Sequence, residues 1–104
     1  MGAAEFETAV QRLIGQVGHW EAGRWRAPAK PGGSRGEVVF ALVQRLADLA
    51  ADAEQRRRRP VPRLADPVLP DQLRVMADDL LAATAPEDVL ARAAEDVTAV
   101  RASI

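Results

Sequence analysis

His19 is the only histidine in the chain, and so the only side chain whose ordinary pKa lies near neutrality. General-base chemistry would start there, with Glu21 as the nearest acid to orient it. Two residues apart on a helix, the two side chains do not face each other. No second histidine and no H-E-x-x-H spacing completes a metal set. The acidic pairs Asp78 with Asp79, Glu87 with Asp88 and Glu95 with Asp96 hold the carboxylates that glycoside chemistry uses. Neighbours on a helix point about 100° apart, however, so these pairs read as solvated faces and as first-turn partners of the helix dipole. Ser34 lies outside any G-x-S-x-G elbow. The chain has no cysteine, which removes thiol nucleophiles, thiolate metal sites and a disulfide scaffold. These residues predict no catalytic set, no metal and no cofactor.

Binding chemistry is better represented. Lys30, Ser34 and Arg35 belong to a Pro/Gly-rich stretch, Lys30 to Gly36, that runs into a helix start. Free backbone N–H groups, a positive helix end and two cations there form a candidate site for phosphate or a small anionic ligand. The G-x-x-x-x-G-K-[ST] order is missing, and Gly-Gly-Ser before a helix also serves as a hinge and cap. The run Arg56, Arg57, Arg58, Arg59 could neutralise phosphates, or it could sit at a helix C-terminus stabilised by the dipole. Trp20 and Trp25 lie beside Arg24 and Arg26, a mixture that stacks on bases or anchors a protein interface. Helical register turns Trp20 inward with Val17. Trp25 is left as a contact residue or as a cap over the end of the bundle.

The elements that must position these groups are helical. Phe6, Val10, Leu13, Ile14 and Val17 form one stripe, which predicts a first helix reaching about Trp20 and fraying before Trp25. Arg26 to Gly36 is a loop, with Pro28, Pro31, Gly32, Gly33 and Gly36. Ser34 and Glu37 then read as a capping box for a second and longest helix. Its apolar face is Val39, Leu42, Val43, Leu46, Leu49, Ala50 and Ala53. Its last turns would pair Asp52 with Arg56 and Glu54 with Arg58, before Pro60 and Pro62 stop it. Pro60 to Pro70 is a proline-rich strap whose Val61, Leu64, Val68 and Leu69 could dock on the bundle.

A third helix starts at Pro70, buries Leu73, Met76, Ala77, Leu80 and Leu81, and ends near Ala83. Thr84 and Glu87 repeat the capping-box spacing before a fourth helix. There Leu90, Ala93, Val97, Val100 and Ile104 form a coiled-coil-like seam. No strand pattern occurs. The prediction is an all-α protein, a single domain over residues 1–104, built as a small four-helix bundle of up-down-up-down or irregular orthogonal form.

Charge narrows the partners. The net charge is −1, so no overall field steers the molecule to nucleic acid or membranes. Residues 24–63 nevertheless carry ten bases against four acids, and residues 64–104 carry three against eight. The first seven residues are acidic where a secretory leader is basic, and no apolar run spans a membrane, which predicts a cytoplasmic protein. Arginine replaces nearly all lysine and alanine is abundant, as in GC-rich bacterial genomes.

The leading expectation is a non-enzymatic helical interaction module that self-associates or binds a protein, with Trp25, Val97, Val100 and Ile104 and the Arg56 to Arg59 run as contacts. The alternative is a nucleic-acid accessory protein using Arg24, Arg26, Lys30, Arg35 and Arg56 to Arg59. Those groups flank a helix about 36 Å long, a length that can set them at opposite poles. A third expectation is phosphate or small-molecule binding at the loop before the second helix.

Overall fold

Phe6, Val10, Leu13 and Val17 line the inner face of the first helix, α1 (Gly2–Val17), and all four are fully buried. The computed structural model describes residues 2–30 and 32–104. Met1, where the acidic N-terminal segment begins, and Pro31 of the glycine-rich loop lie outside the described residues.

The first helix stops earlier than the stripe predicts. At Gly18 and His19 the chain turns, and a separate short helix follows, α2 (Ala22–Arg26). The break lets both indoles fold onto the core. Trp20 and Trp25 meet edge to face, with ring centroids 5.0 Å apart. Each buried indole removes a large apolar area from water, which outweighs the few helical bonds lost at Gly18.

The following loop is fastened at several points. Ala29 N–H donates to Gly33 O, Arg35 N–H to Ala27 O, and Lys30 N–H to Ser103 O near the C-terminus. Gly32 and Gly33 adopt φ of 118° and 73°, values that only glycine takes without strain. An isolated bridge between Pro28 and Ser34 is the sole β-type pairing among the described residues.

The long helix α3 (Arg35–Ala53) opens with the expected capping box at Ser34 and Glu37. Its end corrects the sequence reading: it closes at Ala53, well before Pro60. Gln55 turns left-handed at φ 56°, Gln55 N–H donates to Asp52 O, and Arg56 N–H donates to Ala51 O. Those two bonds are a Schellman closure, so hydrogen bonding at the helix end stops the helix and proline does not. The arginine run therefore lies outside the helix, and its ion pairs are exchanged: Arg56 pairs with Glu54 and Arg58 with Asp52.

From there the strap 56–65 runs back along α3. Gln44 Oε1 accepts Val61 N–H at 2.7 Å, and Gln44 Nε2 donates to Arg59 O at 3.0 Å. Further along, the Arg63 guanidinium lies 5.1 Å from the Phe40 ring centre. Asp66 then reaches Gly36, where an added Cβ would come within 2.6 Å of Oδ1. Gln72 Nε2 fastens Pro62 O from the other side. Val61 and Leu69 dock as expected, whereas Leu64 stays 47% exposed. Replacing Gln44 with leucine strands the part-buried Val61 N–H, and should cost about 1–3 kcal/mol in urea unfolding.

After a 3-10 turn (Asp66–Val68), α4 (Leu69–Ala82) buries Leu73, Ala77 and Leu80, and also Gln72. Because the strap has carried the chain back to the start of α3, α4 runs in the same direction as α3. Simple up-down-up-down alternation is thereby replaced by up-down-down-up, within the all-α bundle that was expected. The predicted second capping box is corrected. Thr84 sits at φ 56°, just past the C-cap of α4, and Pro86 is the N-cap of α5 (Glu87–Ser103) with no side-chain cap bond. A β-branched residue is strained in the left-handed region. Thr84→Gly should therefore raise stability by about 1 kcal/mol, read as a higher midpoint in thermal unfolding.

Finally, α5 returns beside α1. Gly2 abuts the first turn of α5, where a Cβ would meet Glu87 O at 2.6 Å. At the other end Arg101 Nε donates to Gln16 Oε1 at 3.0 Å. The two helices are thus parallel neighbours, and α5 buries Leu90, Ala93, Ala94 and Val97.

Candidate functional site

The loop before α3 is already filled by the protein's own groups. Ser34 Oγ accepts Glu37 N–H at 3.1 Å, and Glu37 Oε1 accepts Ser34 N–H at 2.8 Å. The hydrogen bond from the Ser34 backbone holds the Glu37 carboxyl below its ordinary pKa. The Asp66 carboxylate lies against Gly36 and pairs with Arg63. Two carboxylates therefore occupy the helix end that was read as an anion site, and Lys30, Ser34 and Arg35 do not converge on a vacancy there. Arg35 instead lays its guanidinium 5.3 Å from the Trp20 ring centre, as Arg24 does at 5.4 Å. Both cations cover the indole that could have stacked on a base.

A depressed carboxylate pKa in the folded state contributes stability that is complete above the ordinary glutamate range and lost as pH falls through the lowered value. Glu37→Gln keeps an oxygen acceptor for Ser34 N–H but cannot titrate. Urea midpoints of this variant between about pH 2 and 6 should fall less steeply on acidification than those of the parent.

Trp25 was expected as a possible contact residue, but it is fully buried. The α5 seam is corrected in the same way: Val97 is fully buried, and Val100 and Ile104 pack against the core. Packing within the chain therefore consumes Trp25 and Val97, while Val100 and Ile104 keep part of their surface exposed.

Arg56, Arg57, Arg58 and Arg59 are all exposed. Arg56 and Arg58 turn back to Glu54 and to Asp52, whose carboxyl is held below its ordinary pKa by the hydrogen bond from Arg58. Arg57 and Arg59 make no ion pair among the described residues. Arg24 and Arg35 lie at the start of α3 and the arginine run beyond its end, about 28 Å apart at 1.5 Å per residue. The basic residues thus form two separate patches.

A concave surface lies where sequence reasoning did not look. The outer faces of α1 and α5 enclose an open groove of about 760 Å³. From α1 come Ala4, Glu5, Thr8 and Arg12; from α5 come Ala91, Glu95, Thr98 and Ala99, among others. Small residues line it because the large side chains of both helices point inward. Its charges are ordered: Glu5 precedes Arg12 on α1, and Glu95 precedes Arg101 on α5. Glu5, Arg12 and Glu95 make no ion pair among the described residues. The signal was present in the sequence as small residues at 91, 94, 98 and 102, each recurring every three or four positions on the face of α5 that adjoins the seam.

No group of three or more histidine, cysteine or acidic residues is placed to hold a metal among the described residues. None of the described helices is long and apolar enough to cross a membrane. Comparison with known proteins finds no matching family model, and no significant match among curated proteins or solved structures.

Proposed function

We propose that this protein is a non-enzymatic helical interaction module whose partner-binding face is the groove between α1 and α5. The observation that carries this reading is the groove itself: a shallow channel two helices wide, floored by alanine and threonine, with charges at its rim that form no ion pair among the described residues. Small side chains let another helix approach closely, and the rim charges select its orientation. The proposal includes a cytoplasmic setting, in which a cysteine-free surface of mixed charge meets other proteins.

The nucleic-acid alternative draws less support, since the basic residues split into two patches and Trp20 is covered by Arg24 and Arg35. A photo-crosslinking amino acid placed at Thr98 of the full chain should give protein adducts in cells. The same group at exposed Asp71 on α4 should give none. Absence of adducts at 98, or equal adducts at both positions, overturns the reading. In light scattering, a mixed DNA and RNA pool should leave the mass unchanged, and a mass shift confined to low salt would favour the basic patches instead.

A further inference from the structure

We infer that the occupant of the α1/α5 groove is a second copy of this chain, docked antiparallel about a two-fold axis that crosses both helices. The inference rests on the reading of the groove as an interaction face, and it names the partner. Since α1 and α5 are parallel neighbours, and the charged residues that line the groove come acid before base on each, the groove has an acidic end at Glu5 and Glu95 and a basic end at Arg12 and Arg101.

A face polarised in this way is complementary to itself in one sense only. Two copies docked with their helices parallel would set Glu5 beside the partner's Glu95, and Arg12 beside the partner's Arg101. Docked antiparallel, Glu5 meets the partner's Arg12 and Glu95 meets the partner's Arg101, and the two-fold axis repeats each pair.

The heights on the two helices agree with a single axis. The midpoint between Glu5 and Arg12 falls at Thr8 and Ala9, and the midpoint between Glu95 and Arg101 falls at Thr98. Gly2 lies level with the first turn of α5, and Gln16 lies beside Arg101. Counted at 1.5 Å per residue from that first turn, the two midpoints lie within about one helical turn of each other. Threonine and alanine at the axis leave room for close approach. Two helices about 24 Å long offer an interface on the order of 1,000 Å² in total, the low end for specific association. A reversible dimer follows, and ion pairs exposed at its rim make it salt-sensitive.

The test uses the full chain in sedimentation equilibrium and light scattering at about 50 and 300 mM salt. The expected result is a monomer–dimer equilibrium that weakens at the higher salt. Glu5→Arg should weaken the dimer about tenfold, because the axis makes the like-charge contact twice. Adding Arg12→Glu to that variant should return it to near the parent value. Because the chain lacks cysteine, Thr98→Cys provides an independent readout: diamide should convert it to a disulfide-linked dimer much faster than Asp71→Cys.

Unchanged or strengthened association in Glu5→Arg overturns the antiparallel arrangement. A wild-type monomer at every attainable concentration overturns self-pairing altogether. If the Thr98 crosslinker then captures a different protein, only the identity of the partner has failed; if it captures nothing, the interaction reading fails with it.

Discussion

Truncating Trp25 to alanine should lower the unfolding free energy by about 3–5 kcal/mol and the melting temperature by tens of degrees. The side chain is fully buried, and its ring meets Trp20 edge to face, with centroids 5.0 Å apart. Its Nε1 has no hydrogen-bond partner among the described residues, so its contribution comes from packing and dispersion. Removing it opens a cavity beneath α2, a helix of five residues that has little other hold on the bundle. Trp25→Phe keeps most of the apolar volume and should cost distinctly less. Urea unfolding followed by circular dichroism measures both. A loss under about 1 kcal/mol for Trp25→Ala would return Trp25 to the surface.

Val97→Asp should abolish the cooperative fold at neutral pH, whereas Thr98→Asp, one residue further on, should leave it intact. Val97 is fully buried between α5 and its neighbours, and Thr98 is exposed on the groove. An unpaired carboxylate at position 97 must be desolvated or protonated, at a cost of more than about 4 kcal/mol. That is comparable to the whole stability of a domain this size, on the order of 5–10 kcal/mol. Circular dichroism at 222 nm separates the outcomes. Retained helicity in Val97→Asp would mean that the seam faces outward. Loss of helicity in Thr98→Asp would mean that the groove is closed. The contrast shows which side of α5 remains open to a partner.

The helices and their inward faces were legible because each is written locally. Phe6, Val10, Leu13 and Val17 recur at helical spacing, and burying that stripe is the only favourable use of it. Ser34 and Glu37 satisfy each other's backbone within four residues, so the start of α3 needs no tertiary information. The identical spacing at Thr84 and Glu87 misled because Thr84 is used to close α4, a role decided by where α5 must go. The end of α3 was missed for a related reason. Gln55 in the left-handed region carries no glycine signal, and Gln44 holds the following strap from 15 and 17 residues away.

The candidate site divides along the same line. Sequence alone determined the all-helical class, the inner faces of α1, α3 and α4, the Ser34 cap and the locations of the arginines, since propensity, periodicity and capping act over at most a few turns. Only the tertiary structure decided which of two apolar sides of α5 is consumed. Packing against α1 buries Val97 and leaves Ala91, Thr98 and Ala99 outside. It also decided that α1 and α5 lie parallel, because the strap carries the chain back along α3 and reverses the sense of everything after it. Long-range packing sets those relations, and no local pattern encodes which helix will be a neighbour or in which direction it will run.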